Sequence, residues 1–184
     1  MTAARVPDTL IRRRFEWLVI ASVIVADQIT KLMVVLELGL HESVPVIGGL
    51  FDLTHVRNTG AAFGFLNAVD FPGKPIVIAV VALAALVGVS LYASQLPAAH
   101  WLARLGLALI LGGATGNLID RLRQGYVVDF VDVYWANWHF WAFNVADAAI
   151  SVGVAIIVVD LLRPAPVAPP HDMAPHESES PSAS

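Results

Sequence analysis

Cysteine is absent from this chain, and charge is scarce. Without a thiol there is no disulfide, no thiolate nucleophile and no cysteine-ligated metal. Charged residues make up 14% of the 184, against about 25% in soluble domains. Hydrophobic residues reach 57% and mean hydropathy is +0.70, a balance that excludes a soluble core and indicates one small multi-pass membrane domain. No basic stripe is present, so no nucleic-acid partner is expected. Neither Gly-x-Ser-x-Gly nor His-Glu-x-x-His occurs and the six histidines are scattered, so no metal or other cofactor is expected. The net charge of −4 says little, because Asp160, Asp172, Glu177 and Glu179 lie at or beyond the end of the last apolar run.

What the chain has in abundance is apolar length. Residues 17–40, 74–94, 98–116 and 142–162 form four stretches long enough to cross a bilayer, which takes about 20 helical residues. The first follows Arg12, Arg13 and Arg14, as a signal peptide would. It is too long for a signal h-region, holds Asp27 and Lys31, and is followed by no small-residue cleavage site. A retained first span is expected. Only Gln95, Leu96 and Pro97 separate the second and third runs, which predicts a tight helical hairpin. Arg5, the arginine cluster, Arg104 and Arg163 place both termini in the cytoplasm by the positive-inside rule. The domain reading is a cytoplasmic segment over 1–16, a four-helix membrane domain over 17–163, and a disordered tail over 164–184 rich in Pro, Ala, Ser and acids.

Two connections then lie outside. The first, 41–71, has β-branched residues and Gly48-Gly49, which predict short strands in a small sheet on the membrane surface. The second, 117–141, holds Tyr126, Tyr134, Trp135, Trp138 and Trp141, aromatics that favour the headgroup region.

Several polar residues sit where an apolar protein would not place them casually. Asp27 and Lys31 are four apart and share a helix face, either as a self-neutralising ion pair or as support beneath a polar site with Gln28. Asn58 opens the run through Gly64, which reads as a turn or as an amide presented to an extended peptide. Gly112, Gly113 and Gly116 allow close helix packing. After them come Asn117, Asp120 and Arg121, with Asp120 and Arg121 read as a structural clamp, or Arg121 as a contact for lipid phosphate or a substrate carbonyl.

Asp129, in VVDF, and Asp147, in FNVAD, stand out most, since a carboxylate at the edge of hydrocarbon marks a polar cavity and a function. Asn144 is on the same helix face as Asp147. If the second connection begins and ends at one surface, Asp129 folds back onto Asp147, and two adjacent carboxyls share a proton. One then serves as general base on water while the other polarises a carbonyl. The alternative is that each pairs separately with Arg121, Arg123 or backbone. Asp132 is expected to be solvated, and His139 to be interfacial.

In order, DQITK, NTGAAFG, GGATGNLIDR, VVDFVDV and FNVADAAISVG resemble the motif series of bacterial lipoprotein signal peptidase (signal peptidase II), from Asp27 to Gly153. The resemblance implies an aspartic endopeptidase of the bacterial inner membrane, with Asp129 and Asp147 catalytic. It also implies that Asn58, Asn117, Asp120, Arg121 and Asn144 line or brace the site, and that Asp27 with Lys31 forms the first-helix motif. The fold implied is all-α: four transmembrane helices with a small extracytoplasmic β-cradle and a short interfacial helix. The substrate implied is a prolipoprotein carrying diacylglycerol on its lipobox cysteine, cut on the amino side of that residue. Ala61, Ala62, Gly64 and Gly116 would leave room for its acyl chains. Ala148 stands where many members carry Ser or Thr, which makes a hydroxyl there dispensable. Membrane lipid is the other expected partner, and one site in one bundle is consistent with a monomer. Two other classes use intramembrane Asp and Lys or aromatic loops: a proton-coupled transporter, and a scaffold in which Asn would replace either aspartate without loss.

Overall fold

The computed structural model describes residues 8–60, 69, 71–136 and 138–163. The first seven residues, the tail from 164, and Ala61, Ala62 and Gly64 lie outside the described residues. Among these residues, four helices and four strands follow the order α1 (Asp8–Glu37), β1 (Ser43–Ile47), β2 (Phe51–Asn58), α2 (Lys74–Gln95), α3 (Trp101–Gln124), β3 (Val127–Trp135), β4 (Trp138–His139) and α4 (Val145–Leu161).

Among the described residues, three helical segments are long and apolar enough to cross a membrane: Arg13–Glu37, Lys74–Gln95 and Trp101–Gln124. α4 has 17 residues, about 25 Å at 1.5 Å per residue, short of a hydrocarbon core of about 30 Å. It starts three residues later than expected because Asn144 caps it. α1 starts earlier than expected and takes in the arginine cluster, since Arg is a good helix former and no breaker intervenes. α3 runs to Gln124 and stops only at Gly125, whose φ of 80° is left-handed. Asn117, Asp120 and Arg121 therefore belong to a helix and not to the second connection.

α3 is the central helix, packed against α1, α2 and α4. Glycines let it approach closely. A Cβ at Gly106 would lie 2.7 Å from the Gly153 carbonyl of α4, and one at Gly116 would lie 2.6 Å from Asp27 Oδ2 of α1. At the opposite end, Arg104 donates from Nε and Nη2 to the Glu16 carboxylate at 2.6 and 2.7 Å, and from Nη1 to Leu96 O at 2.6 Å. That clasp ties α1 and α3 to the end of α2.

The two connections form one antiparallel sheet in the order β1-β2-β3-β4. β1 and β2 were expected. The second connection is also strand, pairing Val56 with Asp129 and Asn58 with Val127. No interfacial helix occurs among the described residues outside the bundle. The run VVDFVDVYW is β-branched and aromatic, which suits a pleated surface covered on one side.

Candidate active site

Asp129 lies on β3 between Val128 and Phe130, which are buried against Val34 of α1. Strand side chains alternate between faces, so Asp129 points away from that core. The chain then returns past β4 and pairs Phe143 with Val131, with Val131 N donating to Phe143 O at 2.8 Å and Phe143 N to Val131 O at 3.1 Å. This bridge sets Asn144 beside Asp129. Asn144 Oδ1 accepts the Asp147 backbone N–H at 2.9 Å and so caps α4. Its Nδ2 donates to Asp129 Oδ1 at 2.6 Å and to Val128 O at 3.3 Å. An ionised Asp would also cap, but it has no hydrogen to donate to Asp129.

The second oxygen of Asp129 accepts from Asn58 Nδ2 at 2.9 Å, and Asn58 Oδ1 in turn accepts the Gly60 N–H at 3.0 Å. Asp147, at the first turn of α4, accepts from Asn117 Nδ2 at 2.8 Å. Asn117 Oδ1 takes bonds from Lys31 Nζ at 2.9 Å and Asn144 Nδ2 at 3.3 Å. The amides of Asn144, the cap of α4, and Asn117 of α3 thus connect the two carboxyls.

Beneath them Lys31 Nζ contacts Asp27 Oδ2 and Asp120 Oδ2, both at 2.8 Å. Asp27 Oδ1 accepts the Ala146 N–H at 3.0 Å, and Gln28 Nε2 donates to Asp120 Oδ1 at 2.9 Å. Two carboxylates thus share one ammonium, so Asp27 and Lys31 do not simply neutralise each other. Arg121 donates to backbone, from Nη1 to Asn117 O at 3.2 Å and from Nη2 to Gly60 O at 3.1 Å. The expected Asp120–Arg121 clamp is therefore divided: Asp120 turns to Lys31, while its neighbour points about 100° away around the helix.

Asp129 is only 2% exposed. Burial, with Asp147's negative charge adding to it, pushes its carboxyl up to about 7, against the pull of the Asn58 and Asn144 donors and the Lys31 charge. A protonated Asp129 is thus available near neutrality. Asp132 lies on the other face of β3 and accepts from His139 Nδ1 at 3.0 Å, outside this network. No group of three or more His, Asp or Glu side chains placed to hold a metal occurs among the described residues.

Every residue singled out in sequence as catalytic or supporting (Asp27, Lys31, Asn58, Asn117, Asp120, Arg121, Asp129, Asn144 and Asp147) belongs to this one hydrogen-bonded assembly. Sequence reasoning missed the backbone partners, Ala146 N–H and the Gly60 peptide, because a main-chain donor has no residue signature. It also missed that Lys74 is buried, donating to Val69 O at 2.7 Å.

The molecule is an apolar helical bundle capped by a sheet, with carboxyls and amides gathered where the two meet. Its fold is similar to a bacterial membrane enzyme solved by the in meso method at 1.9 Å resolution, with TM-score 0.68 and 25% identity over 81% of this chain and 93% of that one. A second such enzyme, solved at 2.3 Å, gives TM-score 0.64 and 32% identity over 80% and 87%. The family described as Signal peptidase (SPase) II matches residues 19–163. The lipoprotein signal peptidase of Geobacter metallireducens is 48% identical over 79% of this chain and 89% of its own length. That of Geobacter sulfurreducens is 47% identical over 82% and 92%, and that of Shewanella halifaxensis 45% over 80% and 85%. The chain belongs to the signal peptidase II family.

Proposed function

We propose that this peptidase removes signal peptides from prolipoproteins that carry diacylglycerol on the lipobox cysteine, cutting on the amino side of that cysteine. Water attacks between Asp129 and Asp147. One carboxylate takes the water's proton while the other, protonated, polarises the scissile carbonyl; the captured proton then passes to the leaving amine as the C–N bond breaks. Asn58, Asn117 and Asn144 hold the two carboxyls in register, and Asp27, Lys31 and Asp120 brace the amides from below. A lipidated signal peptide already lies in the bilayer with its cleavage point near the outer surface, so a site at the outer mouth receives it laterally. α4 makes the fourth crossing. Both termini are cytoplasmic, the membrane is the bacterial inner membrane, and the monomer suffices.

The observation that carries this reading is a buried Asp129 joined through Asn144 and Asn117 to Asp147. A transporter would need polar groups along the depth of the bundle, whereas these gather at one end. The test is cleavage of a diacylglyceryl-modified prolipoprotein by purified protein, followed as a gel shift. Asp129→Asn and Asp147→Asn are each expected to lower the rate by at least about 10²-fold while remaining folded. Robust cleavage by either variant would remove that aspartate from the mechanism.

A further inference from the structure

The Lys31 ammonium is 4% exposed and donates to Asp27 Oδ2 and to Asn117 Oδ1, with Asp120 Oδ2 beside it as an ion-pair partner at 2.8 Å. The two carboxylates, Asp27 and Asp120, together already exceed its charge. The bond to Asn117 Oδ1 at 2.9 Å adds no charge pairing. What it fixes is the rotation of an amide. A terminal amide can turn by half a revolution with little change of shape, exchanging a donor face for an acceptor face, and an ammonium can only donate. With Lys31 in place, the oxygen of Asn117 faces the ammonium and its nitrogen is left to face Asp147 Oδ1 at 2.8 Å.

The other two amides that donate to the aspartates have their oxygens fixed by main chain. Asn144 Oδ1 is held by the Asp147 N–H, and Asn58 Oδ1 by the Gly60 N–H. Asn117 depends on side chains: Lys31, and a longer 3.3 Å bond from Asn144 Nδ2, which is itself committed to Asp129 at 2.6 Å. Turned around, Asn117 would present oxygen to Asp147. That contact is favourable only when Asp147 carries a proton, and a protonated carboxyl accepts none from water.

We propose that Lys31 is a positioning residue for peptide hydrolysis: by locking the Asn117 amide it holds Asp147 as the proton-accepting member of the pair. The proposal rests on the reading of Asp147 as catalytic.

Lys31→Met alone would leave Asp27 and Asp120 buried without their shared cation, and it risks misfolding. The test therefore uses the charge-conserving pair Lys31→Met with Asp120→Asn, compared with Asp120→Asn, in which Lys31 keeps Asp27 and Asn117. Cleavage of the lipidated prolipoprotein is measured across pH in detergent, with folding checked by thermal melting. Relative to Asp120→Asn, the pair is expected to lose about 10²-fold in kcat with KM within about threefold. The loss should be larger at acidic than at alkaline pH, because the turned amide favours the protonated carboxyl. Retained kcat, a loss equal at every pH, or a loss in KM alone would overturn the proposal. An active Asp147→Asn would instead overturn the peptidase reading, and this proposal with it.

Discussion

Asn144 caps α4 with its amide oxygen and holds Asp129 with its amide nitrogen. The side chain thus places a helix start and a buried carboxyl within one hydrogen bond of each other. Asp129 gains its pH sensitivity from that position. Its carboxyl is raised from 3.8 to about 7 by burial first and by Asp147 second. The folded state therefore binds more protons than the unfolded chain between those values, and Asp129's contribution to stability falls as pH rises through the window. If protonated Asp129 is the acid in catalysis, the cleavage rate should also fall as pH rises through about 7. A pH–rate profile under saturating substrate checks this, and a rate flat from pH 6 to about 8.5 would contradict it.

Helix α3 shows how an element carries chemistry and packing on one strip of residues. Gly106, Gly112, Gly113 and Gly116 face α1 or α4, and the same helix continues into Asn117, Asp120 and Arg121. Small residues bring the backbones together, and the polar ones then reach partners across the short gap. Gly106→Ala should lower the melting temperature, because its Cβ would meet the Gly153 carbonyl at 2.7 Å, where only backbone movement can relieve it. Gly88→Ala, on α2 with nothing within 4 Å, should melt at or above the parent temperature, since Ala favours a helix over Gly by about 1 kcal/mol. Thermal melts of the two purified variants settle the matter. Equal destabilisation by both would mean that close approach at Gly106 is not what sets stability.

The whole molecule joins two solvents' worth of structure. The bundle turns apolar side chains outward, among them Leu32, Leu36, Val80 and Val81, as a protein solvated by lipid does. The sheet pairs its strands above the bundle and sends Val128 and Phe130 back into a core with Val34 of α1. If all four helices cross, the α2–α3 turn and the β3–β4 hairpin lie on opposite sides. The absence of native cysteine makes this directly measurable. In intact cells a membrane-impermeant thiol reagent should label Trp138→Cys and leave Gln95→Cys unlabelled until the membrane is opened. Labelling of both in intact cells would contradict the four-crossing arrangement.

The membrane class, the hairpin of α2 and α3, the strands of the first connection and the polar side chains singled out for the site are legible in the sequence. These follow from local signals: apolar run length, β-branched turns, and carboxylates and amides in places where an apolar protein would not leave them without partners. The partners are set by packing. That Asp120 turns to Lys31 rather than Arg121 depends on where α1 crosses α3. The second connection becomes β3 and β4 because β2 offers a free edge, and sequence cannot say which edge will be free. The length of α4 follows from a cap whose amide is also needed at Asp129. Local propensity is written residue by residue, but a hydrogen-bond partner 86 positions away is set by how whole helices pack.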